Sequence, residues 1–212
     1  MNDVSDLMVR RNGTATSVLA ALMIHGRKGK AGVTPDFDWL EGMLSYVEDV
    51  VILQHYRFEE TWLLKPLEKL MPELRPRISR MRRDHIGSGG YGVRMTEALA
   101  HWKRGWPKGH DQFLDNARDH YRLSARHGAQ LRATLLPVAE QCFAPAQWQS
   151  AAVALARSED PVALCRSRTD YEAALCSRMG RAVPPQAMPR IDPHQRNEAG
   201  DKAGLASLVQ EA

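Results

Sequence analysis

His55 and Glu59 stand four residues apart in the run LQHYRFEETWLLKPL, a spacing that puts both side chains on one face of a helix. Two further histidines occur in separate segments, His85 in MRRDHIGSGG and His127 in SARHGAQLRATLLPVAE. Imidazole and carboxylate together suit borderline cations such as Fe(II), Zn(II) or Mn(II), and a set of two histidines and one carboxylate with open positions is the usual arrangement for non-haem iron. His55, Glu59, His85 and His127 are therefore the candidate metal ligands. The same residue types also occur on metal-free helices as surface or core groups, so spacing alone leaves both readings open. His120 lies seven residues before His127, close to two turns, and should share its face. Three roles stay open for it: a replacement ligand, an axial haem ligand, or a core histidine bonded to a backbone carbonyl. His101, His110 and His194 fall at a helix end, in a turn and in the C-terminal stretch, and are expected to be exposed.

The elements that must carry these residues are helical. Ala, Leu, Arg, Glu and Met dominate and β-branched runs are scarce. A first helix is expected from Asp3 to about His25, then an exposed loop over GRKGKAGVTP, whose glycines and cations break the pattern. From Asp36 an apolar stripe of Trp39, Leu40, Met43, Leu44, Val47, Val50 and Val51 predicts a long second helix that stops before Pro66. A third runs from about Pro72 to Trp102, bending at the Gly87-Ser88-Gly89-Gly90 patch, and a fourth from about Asp111 to Val138. Four long helices with modest connections predict an all-α, up-down-up-down four-helix bundle over residues 1–158. PAQWQSAAVALAR and DPVALCRSRTDYEAALCSRM predict short appended helices, the second over 159–179, and the proline-dotted, polar stretch 180–212 is expected to be a flexible tail.

Charge and composition narrow the partners. With 29 basic against 25 acidic residues the net charge of +4 is that of a solvated surface, and the Arg75, Arg77, Arg80, Arg82, Arg83 run has no interleaved aromatics. No nucleic-acid partner is expected. Cys142, Cys165 and Cys176 form no CxxC pair or disulfide pattern, which suggests reduced thiols. No apolar run reaches the ~18 residues of a membrane span, and a soluble cytoplasmic protein is expected. Nucleophile elbow, phosphate loop and dinucleotide fingerprint are all missing from the sequence, so nothing marks the chain as an enzyme.

The stretch PDFDWLEGMLSYVEDVVILQHYRFEETWLLKPL resembles the second helix of bacterial hemerythrin-like (HHE cation-binding) proteins. RRDHIGSGGYGVRMTEAL resembles that family's third-helix segment, and HGAQLRATLLPVAEQCFAPAQWQ is similar to its fourth, with Leu136-Pro137-Val138-Ala139 setting the register. The likeness runs from about Leu7 to Ser158 and implies that His55, Glu59, His85 and His127 occupy ligand positions. It implies non-haem iron, with zinc as the other candidate ion, and O2, NO or iron-linked sensing, storage or stress response. Several positions depart from the pattern. Asn12 stands where a ligand histidine is expected, Tyr56 replaces the second histidine of a pair, and Leu131 and Arg132 replace two acidic residues. His25 lies about three and a half turns past Asn12 and reads as a solvated cap. The expectation is a reduced site with one ion or none, with Arg132 either paired to Glu59 in the second ion's place or extended outward. A metal-free bundle acting as a structural or interaction module is the alternative.

Overall fold

A computed structural model describes residues 3–30 and 33–156, and all regular elements among them are helical, with no strand. Helix α1 spans Asp3–Lys30, and α2 is a continuous helical rod over residues 37–70. Helix α3 is Arg75–Lys103, reached through a 3-10 turn Pro72–Leu74, α4 covers residues 109–142, and α5 is Pro145–Ala156. The expected helix at 159–179, the tail 180–212, Cys165 and Cys176 lie outside the described residues, where Cys142 is free and half-buried. No helix among the described residues is long and apolar enough to cross a membrane.

Two boundaries differ from the sequence reading. Helix α1 does not end at His25 but continues through GRKGK to Lys30. Its glycines are points of close approach: a Cβ on Gly26 would come within 2.7 Å of Leu114 Cδ2, and one on Gly29 would strike the Trp102 ring. His110 Nε2 donates to the Gly26 carbonyl at 3.0 Å, tying the start of α4 to this end of α1.

Helix α2 opens where expected, with the Asp36 carboxylate accepting from the Trp39 N–H at 3.0 Å as an N-cap. It then passes Pro66 without stopping and ends at Leu70. Proline in a regular α-helix lacks a donor and clashes with the carbonyl four residues back. A π-helical turn, Glu60–Leu64, directly precedes Pro66, and another, Leu131–Leu135, stands just before Pro137 in α4. These wider turns make room for the rings without breaking the rod. A further π-helical stretch, Val47–His55, ends on a candidate ligand.

The glycine patch leaves α3 unbroken: a Cβ on Gly87 would lie 3.0 Å from Leu123 Cδ1, and one on Gly89 3.9 Å from Ile52 Cγ2. Past the end of α3, Gly105 takes φ +80°, the left-handed conformation that closes many helices.

The buried residues form two apolar clusters. One holds Leu19 and Leu22 of α1, Leu40 to Val51 of α2, Met95 and Leu99 of α3, and Phe113 and Ala117 of α4. The other holds Val4 and Met8, Leu63 to Leu67, Ile78 and Met81, and Leu131 to Ala139. The first halves of α1 and α3 therefore lie beside the second halves of α2 and α4. Between the clusters every long helix contributes buried polar residues: Asn12, His55 and Glu59, Asp84 and Ser88, and His120, Ser124 and His127.

Candidate metal centre

Glu59 is the centre of this polar layer, fully buried on α2. One turn earlier on the same helix, His55 places Nε2 2.9 Å from Glu59 Oε1. From α3, His85 brings Nε2 to 3.0 Å from Glu59 Oε2, and from α4, His127 brings Nε2 to 2.9 Å from the same oxygen. The candidate ligands thus converge from three helices, with His85, 13% exposed, at the edge nearest solvent. One donor atom each from Glu59, His85 and His127 lie within 4.8 Å of one another, so this group could hold a metal ion.

Burial by itself would push the Glu59 carboxyl up; the charges of His127 and His55, with their hydrogen bonds, overcome it and hold the group well below the usual carboxylate range. A buried carboxylate held in its charged form needs positive charge beside it, from imidazolium or from a cation.

Asn12 lies beside His55: its Nδ2 is 3.5 Å from His55 Nε2, and a Cβ on Gly128 would come within 2.8 Å of its Oδ1. No protein-family model matches the chain, and no curated protein or solved structure matches it either. The site must be read from its own residues.

Tyr56 stacks on His85 with ring centroids 4.1 Å apart and stands 5.3 Å from the His127 ring. Its hydroxyl donates to Ser88 Oγ at 3.2 Å, and burial pushes the phenol up so that it stays protonated. Ser88 in turn hydrogen-bonds His120 Nε2. Of the three roles open to His120, the carbonyl-bonded core histidine is corrected to a serine-bonded one: its Nε2 is spent on Ser88 and it does not join the Glu59 cluster. Burial, helped by the Arg94 charge, pushes it down to about 4, which keeps it neutral.

The other histidines are placed differently from the sequence reading. His25 lies within α1, half-buried and stacked on Trp39 at 4.0 Å, rather than capping a helix in solvent. His101 and His110 are half-buried as well, one stacked on Trp106 at 4.6 Å and the other bonded to Gly26, because both pack around the close turn between α3 and α4. His194 lies outside the described residues. The Arg132 to Glu59 pair does not form: Arg132 is exposed, its neighbour Leu131 takes the inward position, and Glu59 meets histidines instead.

Asp84 was not singled out by the sequence. It is buried, its Oδ1 accepts from Arg126 Nη2 at 2.6 Å, and its Oδ2 lies 4.0 Å from His127 Nδ1. Neither Asp84 Oδ2 nor His127 Nδ1 has a hydrogen-bond partner among the described residues. The available signal was position: Asp84 and Arg126 each stand one residue before a candidate ligand.

Proposed function

We propose that this chain is a metal-binding protein that holds one divalent ion, Fe(II) or Zn(II), through Glu59, His85 and His127, with His55 completing the set from the other side of the carboxylate. The observation that carries the reading is the composition of the cluster: two histidines and one carboxylate from three helices around a buried point, the donor set of non-haem iron. The outward-facing Nδ1 of His127 opposite the Asp84 carboxylate supports it, since a metal-bound imidazole is commonly steadied through its second nitrogen. We take the alternation of the four long helices about this layer as an up-down-up-down four-helix bundle of hemerythrin-like type, over residues 1–158. Asn12, Leu131 and Arg132 leave too few donors for a second ion. Ferrous iron held here would supply open positions for O2 or NO, and the role this reading assigns is sensing or stress response in the cytoplasm, without catalysis. Arg132 extends into solvent along its apolar stem and takes no part.

A second reading has its own observation. The Nε2 to Glu59 distances of 2.9 to 3.0 Å are hydrogen-bond lengths, so protonated histidine alone would neutralise Glu59 in a metal-free bundle serving as a structural or interaction module. Elemental analysis of protein purified without chelators and then loaded anaerobically with Fe(II) separates the two. The metal reading requires about one ion per chain retained after desalting; background metal content would establish the metal-free bundle.

A further inference from the structure

The surface of α2 and α3 carries a patch unlike the rest of the exterior. Ile86 is 76% exposed and Val93 57% exposed on α3, seven residues apart and so on one stripe, while Leu53 on the neighbouring α2 is 63% exposed. The two helices meet at this level through Ile52, which lies 3.9 Å from where a Gly89 Cβ would be and 3.2 Å from that of Gly92. Gly89 and Gly90, between Ile86 and Val93, add no side chain of their own, and the exposed Arg94 guanidinium lies across Gly90, 3.3 Å from where its Cβ would be. Three large apolar side chains therefore stand around Gly89 and the Arg94 guanidinium that covers Gly90.

The charges that flank this floor have a definite order. Thr96 donates to Glu48 at 2.8 Å and Arg82 pairs with Glu60 at 3.0 Å, so residues near 49 and 97 lie at one end of the patch and residues near 57 and 83 at the other. Exposed Asp49 and Glu97 outnumber the exposed Arg94, which is held by Asn116 and Tyr91, and leave the first end acidic; exposed Arg57 and Arg83 make the second basic. None of Asp49, Glu97, Arg57 and Arg83 has an ion-pair or hydrogen-bond partner among the described residues.

We propose that this face is a two-fold interface between two copies of this chain. A two-fold interface uses one patch twice, so it must be complementary to itself after reversal. An apolar centre with an acidic and a basic end meets that condition. Turning a second copy about an axis through Gly89 and Gly90 sets its Arg57 and Arg83 against Asp49 and Glu97 of the first, while Leu53, Ile86 and Val93 of both close over Gly89. A different protein as partner would have no reason to reproduce this reversal. The patch extends about 21 Å along α3, from residue 83 to 97 at 1.5 Å per residue. That is at the small end for a specific interface, so the dimer is expected to dissociate on dilution.

Light scattering coupled to size exclusion on the full chain, over a series of concentrations, reads the state directly. Wild type should move from monomer to dimer mass as concentration rises, and Ile86→Glu with Val93→Glu should weaken the dimer by at least about tenfold. Two further variants test the polarity: Asp49→Lys with Glu97→Lys reverses the acidic end, and Arg57→Glu with Arg83→Glu reverses the basic end. Each alone should stay monomeric, and an equal mixture should pair, with circular dichroism showing unchanged helix content throughout. Wild type that remains monomeric at every concentration overturns the proposal. So does a dimer indifferent to these substitutions, or a mixture of the two charge variants that fails to associate.

Discussion

Glu59 sets the chemistry at the scale of single residues, because a buried carboxylate surrounded by three imidazole Nε2 atoms draws either protons or a cation into the same small space. If a cation is there, the orientation of His127 depends on Asp84, whose Oδ2 faces its Nδ1 across 4.0 Å. Asp84→Asn should then weaken metal binding by about 10- to 100-fold. Isothermal titration with Zn(II) checks this, and unchanged affinity would remove Asp84 from the site. His120 makes a different prediction. Its pKa is lowered to about 4 by burial, so the folded chain binds fewer protons there than the unfolded chain, whose histidine has its ordinary value of 6.5. The stability His120 contributes is thus complete above about pH 6.5, falls as pH drops, and is fully lost below about pH 4, on the order of 3 kcal/mol in all. His120→Gln should flatten denaturant midpoints across that window relative to wild type. That His55, Glu59, His85 and His127 meet in one place was legible in part, because residue types suited to metal chemistry stand at helical spacing in three separate segments. Asp84 and Arg126 were not, since an Asp to Arg pair between α3 and α4 depends on how two helices pack, which no local pattern records.

Along the elements, helix existence and order were readable from the apolar stripes, whereas ends were misread wherever glycine or proline served packing rather than termination. Gly26 and Gly29 looked like a loop and are helical, because α1 passes close to Leu114 and Trp102 there. Pro66 looked like a stop and is absorbed by the π-helical turn before it. Ser124, polar among the apolar positions of α4, is buried and shares a hydrogen bond of 3.1 Å with Thr16. Glycines that pack and glycines that merely weaken a helix can be told apart by mutation. A Cβ on Gly13 meets nothing within 4 Å, so Gly13→Ala should stabilise the protein by about 0.5 to 1 kcal/mol. One on Gly109 would collide with the Trp102 backbone, which cannot swing aside, so Gly109→Ala should destabilise by about 1 to 3 kcal/mol. Urea denaturation of the two variants checks both signs.

For the whole molecule, a polar layer between two apolar clusters makes the bundle's stability depend on what neutralises that layer. Bound metal requires neutral imidazoles, so Zn(II) should raise Tm at about pH 7.5 and do so much less at about pH 5.5, below the ordinary histidine value of about 6.5. A shift of the same size at both pH values would indicate adventitious surface binding. X-ray absorption at the metal edge of the loaded full chain, compared with His127→Ala, tests the central claim most directly. The proposed site predicts a first shell of nitrogen and oxygen at about 2.0 to 2.2 Å with imidazole scattering, and a lower imidazole count in the variant. A shell containing sulfur, or one unchanged by His127→Ala, would contradict it.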